Sequence, residues 1–210
     1  MAEDIRTPRQ ARSQARVDRI LSAAHCLIAR DGIGATSMKR IAAEADVSMA
    51  SIYQYFPDRG AIVAELCRRA LNANGHSMRE ALTPAPNTLT ELLDICVDLL
   101  RAYHRLLRDE PVLRAAWFDR TDVPGLHGVD EEDSLRNLDL LLERAMPLID
   151  LDRRDTVRWA IELLFEMSVR GVEIAVQADE QIADLLLAEV EAIVRAGWAA
   201  RVEKTVDEAS

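Results

Sequence analysis

The chain has 210 residues, 49% of them hydrophobic, with only eight glycines, seven prolines and 4% aromatic residues, a mix that supplies a sizeable core and favours helices over sheet. The net charge of −10 argues against a chain that coats itself in nucleic acid, but the charge is uneven. Residues 1–60 hold nine Lys/Arg against seven Asp/Glu and the remainder seventeen against twenty-nine, so a mildly basic head precedes an acidic body.

Residues 1–12 read as a polar tail, with Arg6, Arg9, Arg12 and Arg16 available as a basic arm. From Ser13 to Arg30, Val17, Ile20, Leu21, Ala24, Leu27 and Ile28 recur with helical spacing, and Gly32 suits the left-handed position that ends a helix. Ser37 is placed to cap a second helix ending near Glu44, and Ser48 a third ending near Gln54. Between them Asp46 stands where a positive φ is expected, and Ile41, Ala42, Ala45, Val47, Ile52 and Tyr55 are the side chains to bury. Two short helices around such a turn predict a helix-turn-helix, whose second helix lies in the DNA major groove.

Pro57 ends that unit, and Asp58 caps a helix expected to run to about Leu82, some 35 Å long. Thr83–Asn87 is a break. Thr88 and Glu91 have capping-box spacing for a helix to about Arg108, and Pro111 starts a shorter one to about Arg120. Thr121–Gly128 reads as a loop, followed by a helix over about 130–146 that stops at Pro147. Two long helices close the chain, over about 153–178 and 180–204, with Asp179 as the cap between them. The first carries two apolar stripes: Val157, Ile161, Leu164 and Met167 on one, Trp159, Leu163, Phe165 and Val169 on the other. Surplus apolar surface on two adjacent helices predicts a homodimer through a four-helix bundle, with Val157, Ile161, Leu164, Ile182, Leu186 and Ile193 as its contacts.

Cys26, Cys67 and Cys96 are odd in number and far apart and form no CxxC, so neither a disulfide framework nor a zinc site is supported, and buried, reduced thiols are expected. The first ten residues lack the apolar run of a signal peptide, and no apolar run approaches the ~18 residues of a membrane span. Cytoplasmic residence is therefore expected. His25, His76, His104 and His127 are scattered, with no HExxH, no activated nucleophile and no phosphate loop. No enzyme, cofactor or metal is expected.

The helix ending in ARDGIGATSM, then KRIAAEADVS and ASIYQYFPDRGAIV, carry a resemblance of residues 16–62 to the DNA-binding domain of TetR-type (tetracycline-repressor-like) bacterial regulators. Three positions depart from the family pattern: Asp46 replaces a usual Gly, Met49–Ala50 replaces a commoner polar residue and Gly, and Gly60 replaces a frequent acidic residue. The resemblance implies an all-α protein of about nine helices, with a helix-turn-helix domain at 13–58 joined by a long helix to an effector-binding and dimerisation domain at 59–204. It implies phosphate contacts from Ser37, Ser51, Tyr55 and Arg59, with Lys39 near the backbone or a groove edge and Ser48 opening the reading helix. Met49, Ala50, Tyr53 and Gln54 then face the groove, Gln suited to adenine and Ala or Met to a thymine methyl. An effector pocket is implied in the body, with Cys96, Tyr103, His104, Trp117, Phe118, Trp159, Phe165 and Met167 as candidates. The function implied is a dimeric repressor that binds a palindromic double-stranded DNA operator at the nucleoid and is released by a small molecule. The alternatives are a constitutive or architectural DNA-binding protein without an effector and, more remotely, a helical enzyme.

Overall fold

The computed structural model describes residues 8–118 and 126–200, with side-chain placement from residue 10 onward and again from 128, residue 130 excepted. The described residues form nine α-helices and no strand: α1 (Pro8–Ala35), α2 (Met38–Glu44), α3 (Met49–Tyr53), α4 (Arg59–Ala81), α5 (Leu89–Asp109), α6 (Pro111–Phe118), α7 (Leu126–Ala145), α8 (Arg154–Val176) and α9 (Glu180–Trp198). Two single 3-10 turns, Met146–Leu148 and Leu151–Arg153, join α7 to α8. The all-α fold expected from composition is the fold observed.

The expected caps form. Ser37 accepts a hydrogen bond from Arg40 N at 3.3 Å, Ser48 from Ser51 N at 3.1 Å, Asp58 from Ala61 N at 2.9 Å and Asp179 from Ile182 N at 3.1 Å. Each satisfies a backbone donor that a helix N-terminus otherwise leaves open. At α5 the capping box is skewed: Thr88 accepts from Glu91 N, but the Glu91 carboxylate takes Asn87 N at 2.8 Å. Gly32 has φ 78° and breaks α1 before a last turn over 33–35, and Asp46 has φ 51° in the turn between α2 and α3.

Three boundaries differ from expectation. Helix α1 begins by residue 8, so Arg12 and Arg16 stand on a helix and not on an arm; Arg6 and the side chain of Arg9 lie outside the described residues. Helix α7 begins at Leu126, inside the stretch expected to be loop, because one proline and two glycines outweighed the helical run that follows them. The expected ends at Arg120 and Lys204, and residues 121–125 of the loop, also lie outside the described residues.

The chain divides into two compact units. The first comprises residues up to Ala70 together with 110–129, so the first half of α4 and all of α6 belong with the head, past the boundary at 58. Its core is Ile20, Leu21, Ala24, Leu27, Ile41, Ala42, Ala45, Ile52, Phe56 and Ile62, all 7% exposed or less. The second unit, residues 71–109 and 130 onward, is built on α5, α7, α8, α9 and the end of α4. In it α8 and α9 run antiparallel and touch closely: a Cβ on Gly171 would lie 2.5 Å from Val190, and one on Gly197 2.6 Å from Leu164.

Candidate nucleic-acid interface and body cavity

Helix α3 is five residues long, and a single side chain, Ile52, anchors it in the core. With Ile52 inward, the other side chains are left outside: Tyr53 is 53% exposed, Met49 37%, and Ser48, Ala50 and Gln54 are also exposed. Ser37 and Lys39, at the start of α2, are exposed as well. The two capping serines spend an oxygen lone pair on the backbone and keep an O–H to donate. The exposed set thus offers hydroxyls, an ammonium and an amide around one apolar residue pair.

Two residues expected on phosphates are held by the protein itself. The Tyr55 hydroxyl accepts from Ser13 Oγ at 3.2 Å, and Ser51 Oγ accepts from Arg16 Nη1 at 3.4 Å; both hydroxyls are half-buried or at the edge of exposure, and both bonds tie α3 to α1. Arg59 is the clear correction. Its guanidinium donates to the carbonyls of Ile33 and Thr36, each at 2.9 Å, so it closes the turn after α1 from inside the head. Those carbonyls follow the break at Gly32; Ile33 O also accepts from Thr36 N at 3.1 Å, and the planar cation bridges the two carbonyls across the turn. Arg40 reinforces the same turn, donating to Ala35 O at 2.7 Å and to Asp31. Hydrogen bonds from Arg30 and Arg40 hold the Asp31 carboxyl below the usual carboxylate range. The sequence reading gave Arg40 no role.

The second unit contains a cavity of about 100 Å³. Its apolar wall includes Met78, Leu99, Leu141, Ile161, Leu164 and Trp198; its polar residues are Asn74, Tyr103, Asp133, Ser134, Asn137 and Ser168. Of the expected pocket residues, Cys96, Tyr103 and Phe165 line it. Burial pushes the Cys96 thiol up to about 12, which keeps it protonated. Cys67 is buried, but Cys26 is exposed on α1, contrary to expectation.

The other five pocket candidates do not line it. Trp117 and Phe118 are half-buried on α6 in the first unit. His104 is buried on α5 and faces a separate recess lined by Arg101, Arg105, Arg108, Asp184 and Glu191. Burial, reinforced by Arg108, lowers its pKa, and its Nε2 has no protein hydrogen-bond partner. Trp159 and Met167 are 69% and 50% exposed and point away from the core.

The dimer candidates are corrected with them. Val157 and Ile161 are 1% exposed in the core, Leu164 lines the cavity, and Leu186 is half-buried. Ile182 and Ile193 are exposed as expected. At 100° per residue, Trp159, Leu163, Met167 and Ile174 fall within an arc of about 80°, opposite Val157, Ile161, Ser168 and Val172. The two expected stripes on α8 are each split: Val157, Ile161 and Leu164 face in together with Phe165 and Val169, while Met167 faces out with Trp159 and Leu163. Arg170 is on the surface, bonded to Glu173. Among the described residues no group of three His, Cys, Asp or Glu side chains could hold a metal, and no helix is long and apolar enough to cross a membrane.

A short second helix capped by serine, exposed after its one buried anchor, on a three-helix core with a helical unit following, defines a helix-turn-helix protein with an appended helical domain. Residues 20–66 match the family of bacterial regulatory proteins described as the tetR family. An uncharacterized HTH-type transcriptional regulator of Mycobacterium tuberculosis is 31% identical over 113 residues, which span 54% of this chain and 54% of the relative. The match therefore covers about half the length of that curated relative. Among solved structures, a TetR-family transcriptional regulator from Streptomyces coelicolor superposes with a TM-score of 0.64 at 23% identity, over 89% of this chain and 99% of that one. The fatty acid degradation regulator FadR from Bacillus halodurans gives 0.62 at 20% identity, over 85% and 94%. Residues 20–66 thus carry a DNA-binding domain of the tetR family, and the whole chain shares the fold of these solved structures.

Proposed function

We propose that the protein represses transcription by binding a palindromic operator as a homodimer, and that a small molecule entering the body cavity releases it. The observation that carries the reading is the exposed face of α3. Tyr53, Met49, Ala50 and Gln54 stand free of the core while Ser48 and Ser51 keep the helix capped and tethered. The capping hydroxyls of Ser37 and Ser48, with Lys39, supply phosphate contacts that fix register; Gln54 and the apolar Met49–Ala50 pair read base edges. Tyr55 orients α3 from behind and Arg59 braces the turn, so neither is assigned to phosphate. A reading face with so few hydrogen-bonding groups leans on groove shape as well as base edges.

The dimer is assigned to the outward stripe of Trp159, Leu163, Met167 and Ile174 on α8 with Ile182, Leu185 and Ile193 on α9. Large apolar side chains repeated on one face of two packed helices mark an association surface. A dimer fits paired half-sites about one DNA turn, ~34–36 Å, apart, so a shift of a few ångströms in head spacing is enough to break simultaneous docking. Helix α4 belongs to both units, which gives cavity occupancy a covalent route to the head. Residence in the cytoplasm, at the nucleoid, follows from this role.

The test is a gel shift on the DNA upstream of the protein's own and neighbouring coding regions, at physiological salt. Specific retention is expected, abolished by Tyr53→Ala with the far-ultraviolet circular dichroism unchanged. Retention that ignores sequence and vanishes with modest added salt would instead mark a non-specific DNA coater.

A further inference from the structure

The cavity wall is chemically lopsided. Of its lining residues one, Asp133, is ionisable to an anion at neutral pH, and none is Lys, Arg or His. Asp133 is 5% exposed; Oδ1 accepts from Arg136 Nη2 and Oδ2 from Asn137 Nδ2, each at 2.9 Å. A carboxylate has about four acceptor sites, so about half of its capacity remains unused. Its neighbours add acceptors. Asn137 directs its amide N–H at Asp133, and its Oδ1 lies beside Gly75, 3.5 Å from where a Cβ would be. Ser168 spends its O–H on the Phe165 carbonyl at 2.8 Å, leaving its oxygen as an acceptor. Burial pushes the Asp133 carboxyl above the usual carboxylate range; the two cations that pull it back, Arg136 and Arg79, are not part of the lining.

The carboxylate and its acceptor neighbours are gathered at one end, while at the other, beside Leu164, the lining Trp198 has a buried Nε1–H with no hydrogen-bond partner among the described residues. Along α7 the wall passes from Asp133, Ser134 and Asn137 to Leu141, eight residues or ~12 Å. Along α8 it passes from Ser168 back to Leu164 and Ile161. A void lined this way holds an apolar body with one polar head, and the head meets Asp133 among amide and hydroxyl groups.

We propose that the cavity selects a small, mostly apolar molecule whose head is a hydrogen-bond donor, an amine or a hydroxyl, and excludes the same molecule carrying a carboxylate. The inference rests on reading the cavity as the effector site and sharpens it to a ligand class. A cavity near 100 Å³ is of the order of the ~150 Å³ void that admits benzene, so the ligand is about the size of one ring with a short arm. An anionic head would put two like charges together out of water, where screening is weak and their repulsion strong. A cationic or neutral donor head uses the open lone pairs of Asp133.

The experiment titrates the full-length protein, without DNA, by calorimetry with 2-phenylethylamine, 2-phenylethanol and phenylacetate, which share one ring and differ in the head. The amine and the alcohol are expected to bind at least tenfold more tightly than phenylacetate. Asp133→Asn, which keeps shape and an acceptor but removes the charge, is expected to bring amine and phenylacetate within about threefold of each other. Leu100→Trp, at a half-buried position of the wall, is expected to abolish binding of all three without touching Asp133. Phenylacetate binding as tightly as the amine to the wild type overturns the proposal, as does failure of both amine and alcohol to bind, or a preference that survives Asp133→Asn. Whether the bound amine or alcohol then releases operator DNA is read separately by gel shift. Binding with the predicted selectivity and no release refutes the repressor reading and leaves the ligand class standing.

Discussion

The two close approaches between α8 and α9 predict opposite outcomes for one and the same substitution. Gly→Ala in a helix interior gains about 1 kcal/mol of intrinsic propensity, the same at Gly171 and Gly197. The steric terms differ. At Gly171 the new methyl would lie 2.5 Å from Val190 Cγ2, with the Val190 Cβ and Cγ1 at 3.6 Å. A valine in a helix has essentially one rotamer, so relief requires the helix axes to separate, at a cost of about 1–3 kcal/mol for an overpacked core. At Gly197 the methyl would lie 2.6 Å from Leu164 Cδ2, the tip of a longer side chain that borders the cavity. Leu164 has open space to turn into. Gly171→Ala is therefore expected to lose about 1 kcal/mol net, and Gly197→Ala to be neutral or to gain up to about 1 kcal/mol. For a chain of this length 1 kcal/mol moves Tm by about 2–4 °C. Differential scanning calorimetry of the two variants side by side should thus separate them by about 2–8 °C. Adding Val190→Ala to Gly171→Ala should recover part of the loss even though it removes core volume, because the two changes share one contact. If Gly171→Ala is as stable as Gly197→Ala, the close packing described between α8 and α9 is wrong.

Arg59→Ala is expected to destabilise the head by about 2 kcal/mol, since hydrogen bonds from a charged donor to the Ile33 and Thr36 carbonyls are lost. Lys at 59 should recover less than half, lacking the planar fork; chemical denaturation reads both. Stability should fall as pH drops below about 6.5, in part because folded His104 is held neutral by burial while the unfolded chain takes up the proton. The folded pKa is depressed, first by burial, so this contribution is fully present above the unfolded value and is lost on acidification, with Arg108 and Arg105 adding to the loss and Asp184 and Asp109 opposing it. His104→Leu should flatten the slope between pH 7 and 5 in urea midpoints, and an unchanged slope would assign it elsewhere. Leu163→Arg, at an exposed position of α8, should convert the expected dimer to monomer in light scattering, whereas Val157→Ala should lower Tm and leave the dimer intact. Ser48→Ala should cost α3 about 1 kcal/mol of cap and weaken DNA retention as well.

The head was legible because its signals are local. Ser37, Ser48 and Asp58 cap the helices that follow them, Asp46 takes the positive φ its turn requires, and Ile41 and Ile52 fall where two steeply crossing helices bury them. Each of these depends on residues within one turn of chain. Arg59 was misread for the complementary reason. Its partners are 23 and 26 residues away, and an arginine opening a helix gives no local sign of whether it faces solvent or the carbonyls of a turn. The same limit mixed the stripes of α8: periodicity showed apolar residues all round the helix but not that Phe165 and Val169 face in and Met167 out.

The cavity head shows what the pattern did contain. On α7, Asp133 and Asn137 precede Leu141 at intervals of four, so two polar residues occupy the helical phase that elsewhere along α7 points into the core. Polar side chains on a buried stripe cost stability unless partnered, and Asn137 and Arg136 partner Asp133 only in part. Gly75 faces the same place from α4: a methyl there would make ordinary contact, 3.5 Å from Asn137 and 3.9 Å from Asp133, so no crowding requires the glycine. Packing alone would favour a leucine at 133 and a larger residue at 75. A polar pocket end retained at that expense, facing a void that apolar side chains could have filled, is the arrangement expected of a site whose remaining acceptors await a donor from outside the chain.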